Sequence, residues 1–314
     1  MVKKSICYGL ILVLLLMNGC TGKRAEDATD SCSKEESESV QEDIDVADAT
    51  FEESDTESKD SSMEIDFFRD YTSDIETEVN EAINASSTLQ EEIENVQKVS
   101  DQYSEWAKQA KTQSEMNMSS DWFYIIWDTE LNSLWSRFSE AADEDTKAVV
   151  LADQRCWDSI LDEIVLETLG PSETGGSIYP CLAGALLEEM AYNRCNVIAN
   201  ELAKIKGEDF IMPKRSIQST YIDNHGTNEV YNYLSTQVLG QYDDIDAKIS
   251  IHGLITLEGN FTEKGNDELE FTSIDGDIKG TIRLDGWNGA SFEVTESSND
   301  LLSVGAKFEF NFAL

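Results

Sequence analysis

The chain has 314 residues, with 63 Asp and Glu against 23 Lys and Arg and a net charge of −40. It holds no basic stripe of the kind that neutralises nucleic-acid phosphates, so nucleic acid is not an expected partner. Only two histidines occur, His225 and His252, which nearly excludes a His-based triad or a multi-His metal site, and no cofactor motif is read.

Lys3 and Lys4 precede an apolar run from Ile6 to Met17 that ends at Met17-Asn18-Gly19-Cys20. About a dozen apolar residues are too few to span a hydrocarbon core roughly 30 Å thick, so residues 1–19 read as a signal peptide. The LMNGC run resembles a bacterial lipobox. That resemblance implies lipidation at Cys20 and a membrane-anchored, extracytoplasmic protein beginning there. Residues 20–62 read as an acidic tether: from Thr21 to Ser62 there are fifteen Asp and Glu against four Lys and Arg, with Phe51 the only aromatic. Such a stretch buries too little apolar surface to offset chain entropy.

Residues 63–212 read as helical. Ile65, Phe68, Tyr71, Ile75, Val79 and Ile83 recur at three- and four-residue steps, one face of a helix. After Ser86-Ser87-Thr88, well placed to cap, a second face runs through Leu89, Ile93, Val96, Val99, Tyr103, Trp106 and Ala110. Trp122, Ile126, Leu131, Leu134, Trp135 and Phe138 mark a third helix. Asp143 to Thr146 supplies the cap of a fourth that buries Val150, Trp157, Ile160, Leu161 and Ile164. Gly170-Pro171 and Gly175-Gly176 break the chain. A fifth helix starts near Pro180 and presents Leu182, Leu186, Met190, Val197, Ile198 and Leu202. Short connections predict an antiparallel bundle.

Within this region, Met116-Asn117, Leu131-Asn132, Gln154-Arg155, Trp157, Gly175-Gly176-Ser177, Pro180 and Arg194 occur in an order and spacing that resembles the LprI-type lysozyme-inhibitor domain family of bacterial envelope proteins. The likeness covers about 113–206. It implies a helical domain and lysozyme inhibition, with a basic lysozyme-type hydrolase or another envelope component as partner; catalysis is not expected, since neither Arg155 nor Arg194 is flanked by a nucleophile and base. Arg155 and Arg194 are the candidate polar residues, either pairing with carboxylates to order the bundle or serving binding. Where many family members carry cysteines, this chain has Ser119, Val165 and Leu186; its own are Cys156, Cys181 and Cys195, so the family's disulfides do not carry over. An antiparallel hairpin of 146–169 with 181–206 places Cys156 and Cys195 both about 20 Å from the turn. They are therefore a candidate disulfide, with buried free thiols as the alternative.

Residues 213–247 read as a connection. From 248 to 314 apolar and polar residues alternate between Gly, Asn and Asp turns, which predicts six or so antiparallel strands in a small sandwich or barrel. Turns are expected at Gly253, Lys264–Asn266, Asp275-Gly276 and Trp287–Gly289, and the final strand is expected to close the sheet. Trp287 either stacks on a sugar or fills a sheet end. The fold expectation is α+β. The functional expectation is a non-enzymatic lipoprotein binding through its helices, with an envelope glycan- or ligand-binding β module as the alternative.

Overall fold

A computed structural model of the chain describes residues 64–223, 231–237 and 245–314. Cys20, the signal sequence and the tether lie outside the described residues. Among the described residues five α-helices come first: α1 (Thr72–Ala85), α2 (Leu89–Ala107), α3 (Gln113–Ala141), α4 (Glu144–Leu169) and α5 (Tyr179–Lys206). Nine strands follow: β1 (Thr220–Ile222), β2 (Tyr233–Ser235), β3 (Ala247–Ile251), β4 (Ile255–Gly265), β5 (Glu268–Ser273), β6 (Ile278–Leu284), β7 (Ala290–Ser297), β8 (Lys307–Phe310) and β9 (Phe312–Ala313). The fold is α+β, a helical part followed by a nearly closed antiparallel barrel.

Helix starts follow local chemistry. The Thr88 side chain accepts from the Glu91 N–H, and that of Asp143 from the Thr146 N–H, each satisfying a donor that the first turn leaves unpaired. Thr112 and Glu115 form a reciprocal capping box at α3. The first helical face predicted by spacing begins too early. Because α1 starts only at Thr72, Phe68 points outward, and Phe67 is the buried ring, stacked on Trp122 at 5.7 Å between centroids. Tyr71 and Tyr103 complete the cluster, 5.1 and 5.6 Å from Trp122.

The hairpin is looser than its sequence suggests, because α5 packs more extensively along α3 than along α4. The α3 and α5 contacts advance together: Asn117 with Cys181, Ser120 with Gly184, Trp127 with Tyr192. These two helices therefore run parallel, with α4 returning between their ends. Gly184 permits the approach, since a Cβ there would lie 3.1 Å from both the Ser120 Cβ and its carbonyl oxygen.

The sheet order is β8-β7-β6-β5-β4-β3-β2-β1-β9, antiparallel throughout. Only Asn311 separates β8 from β9, which stand at opposite edges, so one continuous C-terminal segment pairs with β7 and with β1 and brings the sheet round on itself. Inward residues including Ile249, Leu257, Leu269, Phe271, Ile282, Phe292 and Phe310 fill the lumen. The turns between β3 and β7 fall at the expected glycines. The segment 213–247, read as a connection, holds β1 and β2. Every residue of both strands is buried, and the period-two signal disappears when both faces of a strand are covered.

What covers their outer face is the helical part. Thr168 Oγ1 and the Tyr233 hydroxyl lie 2.9 Å apart, Lys248 Nζ pairs with Glu167 at 2.7 Å, and Asn193 Nδ2 donates to the Leu314 carbonyl at 3.1 Å. Residues Ile65–Leu314 form one compact unit.

Candidate functional site

Two pairs of the positions that carry the resemblance meet, Asn117 with Ser177 and Gln154 with Arg194. Asn117, on the second turn of α3, donates through Nδ2 to the Ser177 carbonyl at 3.0 Å, and its Oδ1 accepts from Gln113 Nε2 at 2.9 Å and from the Cys181 thiol at 3.0 Å. The Gly175-Gly176-Ser177 turn is thereby fastened to the start of α3. Gly176 stands at φ 64°, where a side chain would be strained. Pro180 lies in the first turn of α5.

A second group gathers around Arg194, which is 4% exposed. Its Nε donates to Gln154 Oε1 at 2.7 Å, Gln154 Nε2 donates to Asp158 Oδ1 at 3.1 Å, and the guanidinium lies 6.0 Å from the Phe312 ring of β9. Arg194 thus joins α5, α4 and the strand that closes the barrel. Burial pushes the guanidinium down to about 10, against the pull of Asp153 and Asp158, so it stays cationic at neutral pH. Burial raises Asp158 to about 6, with the Gln154 hydrogen bond and Arg194 opposing. Asp128 also rises to about 6, through burial first and then the nearby Asp158, against a hydrogen bond from Asn132. Arg155, the other candidate, is exposed. The structure separates two arginines that sequence reasoning treated alike.

A third group went unread in the sequence. Arg137 of α3 forks onto Glu92 of α2, with Nη1 2.8 Å from Oε2 and a closer contact through Nη2, while Glu130 Oε1 stands 3.9 Å from Nη2. Glu130 is fully buried and neither of its oxygens has a hydrogen-bond partner. Burial, and then the Glu92 charge, push its carboxyl well above the usual range, because one arginine cannot compensate two buried carboxylates. The signal was present: Glu130 sits four residues from both Ile126 and Leu134, on the core face of α3, and Glu92 sits between Leu89 and Val96 on that of α2.

Cys156, Cys181 and Cys195 are free thiols. The candidate Cys156–Cys195 bridge is absent because α5 turns Cys195 towards α3, where its thiol donates to the Trp127 carbonyl at 3.2 Å. Both thiols are buried, and burial raises both above the ordinary thiol value. Among the described residues no cluster of His, Cys, Asp and Glu is placed to hold a metal ion, and no helix is long and apolar enough to cross a membrane. Trp287 closes one end of the barrel: its indole N–H donates to the Pro213 carbonyl at 2.8 Å, and the Arg215 guanidinium lies 4.7 Å from its ring.

These groups order helices against one another and against the barrel, and among them burial raises the Cys156 and Cys195 thiols and the Glu130, Asp128 and Asp158 carboxyls above their ordinary values. Comparison of the chain with protein-family models, with curated proteins and with solved structures gives no match.

Proposed function

We propose that the protein is a non-enzymatic binding protein of the bacterial cell envelope, anchored to the membrane through lipidated Cys20, that engages a basic macromolecule. Inhibition of a lysozyme-type hydrolase is the specific form implied by the resemblance. The observation that carries the reading is the charge of −40. A field of that sign attracts a cationic protein, raises its rate of encounter and disfavours anionic competitors. The contacts of Asn117 with Ser177 and of Gln154 with Arg194 add support, since each joins two residues of the resemblance that are distant in sequence. The anchor and tether would hold that surface outside the membrane, where a cell-wall hydrolase acts.

The test is titration of a basic lysozyme with the purified protein, following both binding and hydrolysis of cell-wall substrate across a salt series. The reading expects saturable binding that weakens as salt screens the charges, with hydrolysis falling in step. Undiminished hydrolysis at saturating protein would remove inhibition. Absence of binding at low salt would remove the basic hydrolase as partner.

A further inference from the structure

One cleft outside the helical groups combines unsatisfied polar atoms with a defined space. It lies at the barrel end formed by the β4–β5 and β6–β7 turns, has a volume of about 180 Å³, and is lined by Arg215, Lys214, Tyr221, Asp267 and Trp287 among others. Arg215 is held firmly there. Its guanidinium carbon is 4.7 Å from the Trp287 ring and 5.3 Å from the Tyr221 ring, and Nη2 donates to the Leu314 carbonyl at 2.6 Å. Both rings are fixed in turn, Tyr221 by complete burial in β1 and Trp287 by its hydrogen bond to Pro213.

What this arrangement leaves over is unusual for a settled interior. Arg215 Nε and Nη1 and the Tyr221 hydroxyl are buried and have no hydrogen-bond partner. Among the described residues no carboxylate lies within ion-pair distance of Arg215. Burial raises the Glu189 carboxyl, with the Arg215 charge close enough to oppose that rise, and Asp267 is on the cleft wall, but neither engages the guanidinium. A buried donor left unpaired loses its hydration with no bond in return, and the loss is larger when the donor is charged. An arginine fixed between aromatic faces with Nε and Nη1 unpaired keeps the donor set that pairs with a carboxylate.

We propose that this cleft binds the carboxylate of a small organic acid or of a peptide carboxy terminus, with Arg215 as the anion-binding residue. Ile217, Leu284 and Trp287 make part of the wall apolar, which favours a carboxylate bearing a short carbon chain over a strongly hydrated inorganic anion. The local pair Lys214 and Arg215 supplies positive charge that the chain as a whole lacks. The Arg215 stack against Trp287 also occupies one face of the indole and so disfavours sugar stacking there. This inference stands apart from the helical resemblance and does not depend on it.

The experiment is ¹⁵N NMR of the arginine Nε–H signals of the purified protein, with hexanoate, an acetylated dipeptide acid, the matching dipeptide amide and inorganic phosphate as separate probes. The Arg215 signal, assigned by its loss in Arg215→Lys, is expected to shift saturably with a carboxylate probe. Hexanoate alone would identify a small organic acid as the ligand type. The dipeptide acid, with the amide inactive, would identify a peptide terminus. Trp287→Leu is expected to weaken the response at least tenfold. An unmoved Arg215 signal with both carboxylates, or an equal response to the amide or to phosphate, would overturn the proposal. Because these titrations use the wild-type protein, they remain decisive if a variant fails to fold.

Discussion

The helical part and the barrel fill their interiors with different chemistry. Around α2, α3, α4 and α5 the core contains Glu92, Glu130, Gln154 and Arg194 beside its tryptophans, with Arg137 reaching in from the edge. The barrel's core is mainly Leu, Ile, Val, Ala and aromatic residues, its buried polar side chains are chiefly hydroxyls such as Thr220, Ser235 and Ser273, and the ion pairs between its own strands stand on the outer surface: Lys279 with Glu296, Arg283 with Glu268 and Glu293. Exposed pairs contribute about 0–1 kcal/mol each. Buried ones set geometry and make the fold depend on each partner's presence. The barrel is therefore held by shape, and the helices by shape together with charge placement.

The barrel side is broken most directly at Phe310. It is fully buried and precedes the turn from β8 into β9, so Phe310→Ala opens a cavity where the sheet closes. A loss of about 3–5 kcal/mol is expected, measured by denaturant unfolding. Because the barrel and helices form one unit, a single transition should shift as a whole. Separate transitions for tryptophan fluorescence, reporting mainly the helices, and for sheet circular dichroism would show the halves to be independent.

The helical side is broken at Arg137. Arg137→Met keeps the aliphatic packing but strands Glu92 and Glu130, and a loss of about 3 kcal/mol at neutral pH is expected. Much of it should be recovered at pH 5, where a stranded carboxyl can protonate. An equal loss at both values would mean that the side chain acts through packing alone.

How far the sequence displayed this contrast follows from which signals survive burial. The helices, their caps at Thr88 and Asp143, the barrel turns at Gly253, Gly265 and Gly276 and the closing role of the last strand were all legible, because each depends on local periodicity or a specific turn residue. β1 and β2 were not, because three-residue strands covered on both faces show no alternation. The parallel contact of α3 with α5 was hidden for another reason: neighbours in sequence suggest a hairpin, and only the fit of Gly184 against Ser120 reveals the closer partner. The candidate disulfide failed with it, since equal height along two helices does not fix which way Cys195 points. The buried acids sat at core spacing in plain view, but in a chain with 63 acidic residues a few on apolar faces do not stand out.

The smallest expected effect is the sharpest test of the contrast. Glu130 has its carboxyl pushed well above 4.5 in the folded protein, chiefly by burial, so between the unfolded and folded values the native state binds more protons than the unfolded chain. Unfolding free energy then falls as pH rises through that window, and Asp128 and Asp158, raised from 3.8 to about 6, act in the same direction. The protein should accordingly be more stable near pH 5 than at pH 7.5, by several degrees in Tm. Further acidification should reverse the trend as caps such as Asp143 and Glu115, whose carboxyls are held low by backbone N–H donors, become protonated. Glu130→Gln replaces the buried acid by a neutral group of the same shape. It should change stability by less than about 1 kcal/mol at pH 5 and make the protein relatively more stable than wild type as pH rises, flattening the curve of Tm against pH. Parallel curves for the two proteins would show that Glu130 does not titrate with folding. The pH dependence would then belong to the other buried carboxyls, among them Asp158 beside Arg194, Asp128 of α3 and Glu188 of α5, moving the charge sensitivity of the helical part from the α2–α3 contact to the helices around α5.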